Sequence, residues 1–560
     1  MAPAFPIFTE FRTMNTVFLK IHPSDTVAVA LRNLKSGETL SVDAHTVTLV
    51  EDIPAKHKFM LADHSAGAEI IMYGVLVGHA RTPILRGGLM TTLNTGHAAA
   101  DYAWRGIQPN WKAPDASTFS DRKFLGYRRS DGRTGTANYW LFIPTVFCEN
   151  RNLDVIREAL HNELGYAVTG KYKQKVKNLV SDLKAGKDPG TTDLDLAPAT
   201  HVESRLFKNV DGIKFLNHQG GCGGTRQDSA TLSSLLAAYA DHPNVGGVTV
   251  LSLGCQHIQV DDFKQDLLRR NPAFDKPLYI YEQQRSQSEE QLISEAIRQT
   301  FLGLVAINQL ERTEAPLSHL TIGVKCGGSD GFSGISANPA VGYAADLLVT
   351  LGGKVLLAEF PELCGVEQEL VDRCTSREHA EKFIRLMKTY EGEARRAGSG
   401  FDMNPSPGNI RDGLITDAIK SAGAAKKGGT SPVTDVLDYT ERATTSGLSL
   451  VCTPGNDVEA TTGQAAAGAN LILFTTGLGT PTGNPVCPTI KIATNTALAV
   501  RMRDIIDIDT GSVITGERTI ESMGEEILEY CIRAASGEVL PKAVALNQDD
   551  FIPWKRGVSL

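Results

Sequence analysis

The chain has 560 residues, too many for one hydrophobic core, so two to four domains are expected. With 42% hydrophobic and 21% charged residues it reads as globular, and a net charge of −8 gives no basic footprint for nucleic acid. No apolar run reaches the length of a membrane span and no secretory pattern opens the chain. The nine scattered cysteines therefore read as reduced thiols or ligands in a cytoplasmic protein.

In chain order, residues 17–92 hold six short β-branched runs (VFLKI, DTVAVAL, TLSVD, TVTLV, KFML, EIIMYGVLVGHA) parted by turn signals, which predicts a small β domain. Residues 93–122 are polar, contain Pro and Trp and show no clean period, so they read as a linker. From about 123 the character changes. YWLFIPTVF predicts a buried strand and LDVIREALHNEL a helix, and KYKQKVKNLVSDLKAGKD reads as a basic amphipathic helix with a solvated face. Strands and helices then alternate as in βαβ units. The turn QLERTEAPLSH (309–319) marks a boundary, and alternation resumes over 320–535 with loops at NPSPGN and KKGGTSP.

Seven apolar runs stop at clusters of Gly, Cys, Asn, Ser, Asp or Glu. They end at NHQGGCGG (217–224), GCQ (254–256), KCGGSD (325–330), EFPE (359–362), CTPGND (452–457), TTGLGTPTG (475–483) and KIATN (491–495). Buried parallel strands look like short apolar runs, and ligands of open α/β sheets sit at their carboxyl ends. The glycines of 217–224 allow close backbone approach, although neither a dinucleotide nor a P-loop fingerprint fits. His218 there is either a ligand or base, or a hydrogen-bonded structural histidine. Cys222, Cys255 and Cys326 each close a different strand. They could meet as three ligands of an iron–sulfur cluster, or pack as small inert residues. Glu359 and Glu362, with Glu367 nearby, could hold a divalent ion, act as acid and base, or cap the next helix. Lys491 lies in an apolar strand. Buried, it would have a lowered pKa suited to a base; on an edge, it would face solvent.

Together these residues resemble the altronate/galactarate dehydratase family over nearly the whole chain, from Phe18 to Leu560. The resemblance rests on FLKIHPSDTVAVALRNLKSGE, on Gly126-Tyr127-Arg128-Arg129 with Asp131 to Gly135, and on CGGSDGFSGISANPAVGYAAD (326–346). NPSPGN (404–409), Pro454 to Asp457, GTPTGNPVCPTIKIATN (479–495) and the ending WKRGVSL complete it. It implies a multidomain α/β protein with an N-terminal β-clip (SAF) domain at 14–95 and a linker at 96–122. A central α/β domain at 123–316 would make a homodimer contact, and a Rossmann-like catalytic domain would span 317–560.

The implied activity is a hydro-lyase acting on a small-molecule sugar acid, D-altronate first and galactarate or another aldarate second, using Fe2+, alternatively Mn2+ or a [4Fe–4S] cluster. Lys491 or His218 would take the proton. Cys222, Cys255, Cys326, Glu359, Glu362 and Asp457 would serve as metal ligands. Substrate contacts would come from His57 and His97, presented by the SAF module as a lid, and from Asn138, Ser329, Asp330, Asn338 and Asn404. Asn409, Thr476, Thr480 and Asn495 complete that set. Two family arginines are replaced, by Ala137 and Leu478, which bears on the recognition of a substrate carboxylate.

Overall fold

The computed structural model describes residues 16–43, 45–168, 170–194 and 205–557. Positions 14 and 15 of the expected SAF domain and the last three residues of WKRGVSL lie outside them.

The N-terminal part is antiparallel throughout. Strands Phe18–Leu19, Val27–Ala30 and Lys58–Met60 form one sheet, Thr39–Val42 and His45–Thr48 a hairpin, and Glu69–Met72, Val75–Ala80 and Thr95–Gly96 another sheet. Met72 pairs with Val75 across Tyr73-Gly74, both at positive φ (58° and 79°), as a two-residue hairpin turn requires. The sheet thus extends into the stretch that the sequence reads as linker. Beyond it, residues 97–116 carry neither helix nor strand.

All seven apolar runs are parallel strands. Two of them, Gly212–Phe215 and Val245–Ser252, flank Tyr139–Pro144, and Leu278–Glu282 completes a four-stranded central sheet. The other five belong to a seven-stranded sheet. Its spatial order is Val433–Leu437, Gly447–Val451, Lys354–Leu357, Thr321–Cys326, Leu471–Thr476, Thr489–Ala493 and Ile508–Asp509. Its inner strands are buried along their length, save for Lys354 at the start of one, because helices cover both faces. Helices Ala337–Thr350 and Ile520–Ala535 pack together on one side; Asp457–Ala466 on the other meets Arg226–Asp241 of the central domain.

The sequence does not reveal a small antiparallel sheet of Lys123–Arg128, Thr134–Gly135 and Thr313–Pro316, the last strand of which lies inside the expected boundary turn. NPSPGN is not simply a loop. Ser406 and Asn409 form a capping box that opens the helix Pro407–Arg411. The helix Gly170–Lys184 leaves Val176, Val180 and Leu183 exposed.

Candidate active site

In the seven-stranded sheet, Thr321–Cys326 has neighbours reached by chain connections in opposite directions, and clefts form at the carboxyl ends of such strands. There the thiol of Cys326 and one carboxylate oxygen from each of Glu359 and Glu362 lie within 4.8 Å of one another, all buried. Glu359 aims inward from a left-handed backbone (φ 69°, ψ 58°). Its N–H donates to Thr453 Oγ1 at 2.9 Å, which holds the strained turn in place.

Three lysines surround these donors. Lys325 Nζ donates to Glu359 Oε1 and lies 3.0 Å from Asp457 Oδ1. Lys427 Nζ lies 3.0 Å from Glu359 Oε2 and 3.5 Å from Cys326 Sγ. Lys420 Nζ lies 2.8 Å from Glu362 Oε1 and also bonds Asn404 Oδ1. Lys325 and Lys427 are fully buried, whereas Lys420 keeps 9% of its side-chain surface. Burial alone would raise the Glu362 carboxyl, but Lys420, Lys325 and Lys427 outweigh it and hold it at about 2. Burial pushes the Cys326 thiol up to about 12, so it stays protonated. Three ammonium groups thus balance three carboxylates in a largely buried site, where fixed charges act more strongly than in water.

Lys491, two strands away in the same sheet, is buried. Its Nζ donates to Thr480 O and sits 4.6 Å over the Phe474 ring. Burial lowers its pKa to about 8, while Asp457, Asp507 and Asp550 pull the other way.

The expected site residues separate into groups. Ser329, three residues after Cys326, is buried with a hydroxyl that has no partner, and Asn404 touches the site through Lys420. The Thr476 hydroxyl accepts from the N–H groups of Gly479 and Thr480 and shapes the turn beside them. His97 sits with Nε2 3.9 Å from Cys364 Sγ and a buried, unpartnered Nδ1. Cys364 also faces the buried carboxyl of Asp417, whose pKa burial pushes well up.

Other expected residues are engaged by partners within the protein. Asp330 accepts from Ser333, Thr494 and Asn495 and pairs with Lys56 of the N-terminal domain at 3.0 Å. Asn495 caps the helix Thr496–Arg501, Asn409 donates to Ser329 O, and Asn338 bridges Thr475 and Gly423 O. His57 is half-buried against Ala55 O; its neighbours Lys56 and Lys58, not His57, reach Asp412 and Gly413.

Four expectations need correction. Asn138 stands at the amino end of its strand, its amide spent on Arg129, Asn209 O and Ile307 O, so it cannot meet a ligand at the carboxyl ends. Ala137 beside it is at the same wrong end, so of the two replaced arginines only Leu478, next to Gly328, borders the site. His218 has no free nitrogen: Nδ1 accepts from Gly220 N–H and Nε2 donates to Pro144 O at 2.8 Å, and burial lowers its pKa to about 4. Cys222 and Cys255 are exposed in central-domain loops and do not join buried Cys326.

As a home for iron, the Cys326–Glu359–Glu362 group has suitable donor atoms, but an ammonium group already holds each of them. A divalent cation would have to displace or deprotonate these lysines. The donor set therefore does not fit one. Asp457 is likewise engaged by Lys325. The sequence reading missed Lys325, Lys420 and Lys427.

Three family descriptions match the chain in succession. They are the altronate/galactarate dehydratase SAF domain over residues 16–97, the D-galactarate dehydratase/altronate hydrolase second domain over 126–308, and the D-galactarate/altronate dehydratase C-terminal domain over 317–559. The altronate dehydratase of Escherichia coli (strain K12) is 34% identical over 546 residues, 97% of this chain and 100% of that one. The altronate dehydratase of Bacillus subtilis (strain 168) is 33% identical over 552 residues, 97% and 99% of the two chains. The galactarate dehydratase (L-threo-forming) of Escherichia coli (strain K12) is 32% identical over 532 residues, 94% of each. With its three domains matched in order and its relatives aligned nearly end to end, the chain belongs to the altronate/galactarate dehydratase family of hydro-lyases.

Proposed function

We propose that this protein dehydrates a sugar acid, D-altronate before galactarate, to a 2-keto-3-deoxy acid; from D-altronate the product is 2-dehydro-3-deoxy-D-gluconate. The observation that carries the reading is the gathering of Lys325, Lys420 and Lys427 around two glutamates at strand carboxyl ends.

The chemical obstacle is a weakly acidic C2 proton next to a carboxylate that is already negative. As that proton leaves, charge builds on the carboxylate, and preorganised ammonium groups stabilise it at no cost of reorganisation. Neutral Lys491, accessible near pH 8, takes the proton. The C3–O bond breaks, and the departing hydroxyl takes a proton from the Lys420–Glu362 pair, whose lysine is the more exposed of the three. The enol then gains a proton at C3 and becomes the 2-keto acid. Leu478, which replaces an arginine of the expected pattern and lies next to Gly328, removes one contact for a substrate carboxylate, so the choice of sugar acid rests on the substrate panel below.

Cytoplasmic residence and a homodimer through the central domain belong to the same proposal; the exposed Val176, Val180 and Leu183 are consistent with such a contact. Among the described residues no helix is long and apolar enough to cross a membrane. The test is incubation of the full chain in D2O with D-altronate, galactarate and other hexonates, with and without ferrous iron and a reductant. Expected is a 2-keto-3-deoxy product with deuterium at C3. Absence of such a product from every acid under both conditions refutes the reading.

A further inference from the structure

Six of the nine cysteines are buried, and the three exposed ones are Cys148, Cys222 and Cys255. They are not scattered over the surface. Each follows the carboxyl end of one of three adjacent parallel strands of the central sheet: Cys148 after Tyr139–Pro144 in the middle, Cys222 after Gly212–Phe215 on one side, and Cys255 after Val245–Ser252 on the other.

The three loops are laced together. Phe147 N–H donates to Gly220 O at 3.0 Å, and His257 N–H to Gly221 O at 3.1 Å. Glycines at positive φ adjoin two of the cysteines: Gly221 (98°) and Gly223 (70°) flank Cys222, and Gly254 (119°) precedes Cys255. A Cβ on Gly221 would lie 2.3 Å from Thr145 O, so the close approach of the loops requires glycine. Cys222 also borders a cavity of about 370 Å³ between the 217–224 loop and residues 551–555.

A second observation points to a cation here. Glu149, next to Cys148, is fully buried. Its Oε2 accepts from Asn152, but its Oε1 has no donor, and Asn150 Oδ1 beside it is also buried and unpartnered. A buried carboxylate oxygen without a partner costs free energy that a nearby positive centre offsets.

Three thiols with neighbouring oxygens form a soft donor set, which selects zinc, copper(I) or iron–sulfur clusters. The thiols do not close to within 4.8 Å of one another. One tetrahedral ion with sulfur at about 2.3 Å needs them closer. A multi-iron cluster accepts wider spacing, because each thiolate binds a different iron.

We propose that Cys148, Cys222 and Cys255 hold an iron–sulfur cluster at the carboxyl ends of the central sheet, each thiol giving up its proton on ligation. The site is independent of the lysine–glutamate centre of the seven-stranded sheet, and it provides a home for iron that Cys326, Glu359 and Glu362 do not.

The test is anaerobic reconstitution of the full-length chain with ferrous iron, sulfide and a thiol reductant. After desalting, bound iron, acid-labile sulfide and the visible charge-transfer spectrum are measured. Expected are about four irons and as many sulfides per chain. C148S, C222S and C255S should each lose at least about nine-tenths of the sulfide while keeping the far-UV circular dichroism of the parent, and C326S should keep the cluster. Iron or zinc bound without sulfide, cluster retention by the triple serine variant, or loss in C326S with retention in C222S would each overturn the proposal. Because the readout is spectroscopic, it stands or falls separately from the dehydratase reading.

Discussion

Replacing Lys491 by Met separates a lysine kept for chemistry from one kept for packing. Burial lowers its pKa from 10.5 to about 8. Holding the lysine so far below its ordinary value costs the fold about 3 kcal/mol at neutral pH. A lysine whose pKa is lower folded than unfolded binds fewer protons in the fold, so its contribution to stability rises as pH climbs from about 8 to 10.5. Methionine keeps the stem against Phe474 and gives up only the bond to Thr480 O. K491M is therefore expected to melt no lower than the parent at pH 7, with a gain of up to about 3 kcal/mol. Loss of the base should lower kcat/KM by about 100- to 10,000-fold. In the parent, the neutral fraction rises about tenfold between pH 7 and pH 9, so kcat/KM should climb by that factor, and K491M should lose the slope. Calorimetry and a pH series of 2-keto-acid formation read both quantities. A K491M protein that melts several degrees lower, or keeps the alkaline rise, would refute the assignment.

Other perturbations have equally definite outcomes. Lys427→Met leaves Glu359 buried with half its pairing and should destabilise by about 3–5 kcal/mol in denaturant titration; adding E359Q should recover much of that, since the uncompensated charge is gone. Lys56→Met strips buried Asp330 of its cation, and limited proteolysis should then cut faster within residues 97–116. Glu367 titrates near 7 in the fold because burial raises it. Stability should therefore fall as pH rises from about 4.5 to 7, by up to about 3 kcal/mol, and E367Q should flatten that stretch of the melting curve.

Much of the fold was legible because a strand covered on both faces must be apolar along its length, and all seven such runs proved to be parallel strands. Their endings pointed to Cys326, Glu359 and Glu362, which do meet. The reasoning that singled out Lys491, a charge inside an apolar strand, applies equally to Lys325 in TIGVKC, and Lys420 and Lys427 interrupt an apolar helical stretch. The asparagines were harder. In one sequence a helix cap such as Asn495 or a bridge such as Asn338 looks the same as a ligand, because each is a polar residue in a Gly-rich or Thr-rich turn. Nor could periodicity say which strand ends share a sheet, so Cys222 and Cys255 were grouped with Cys326 although their strands belong to a different sheet.

The pairing of Lys56 with Asp330 bears on how the N-terminal domain can move. Asp330 is fully buried and its carboxylate also holds Thr494 and Asn495, at the end of the strand that carries Lys491. A swinging cap would have to leave that charge uncompensated at each opening, at about 3–5 kcal/mol. An open form of that kind would be populated at roughly one molecule in a hundred to one in several thousand. For the proposed reaction this predicts entry by the edge where Asp457 is the most exposed member of the cluster, and a turnover rate that does not change when the domain is cross-linked in place.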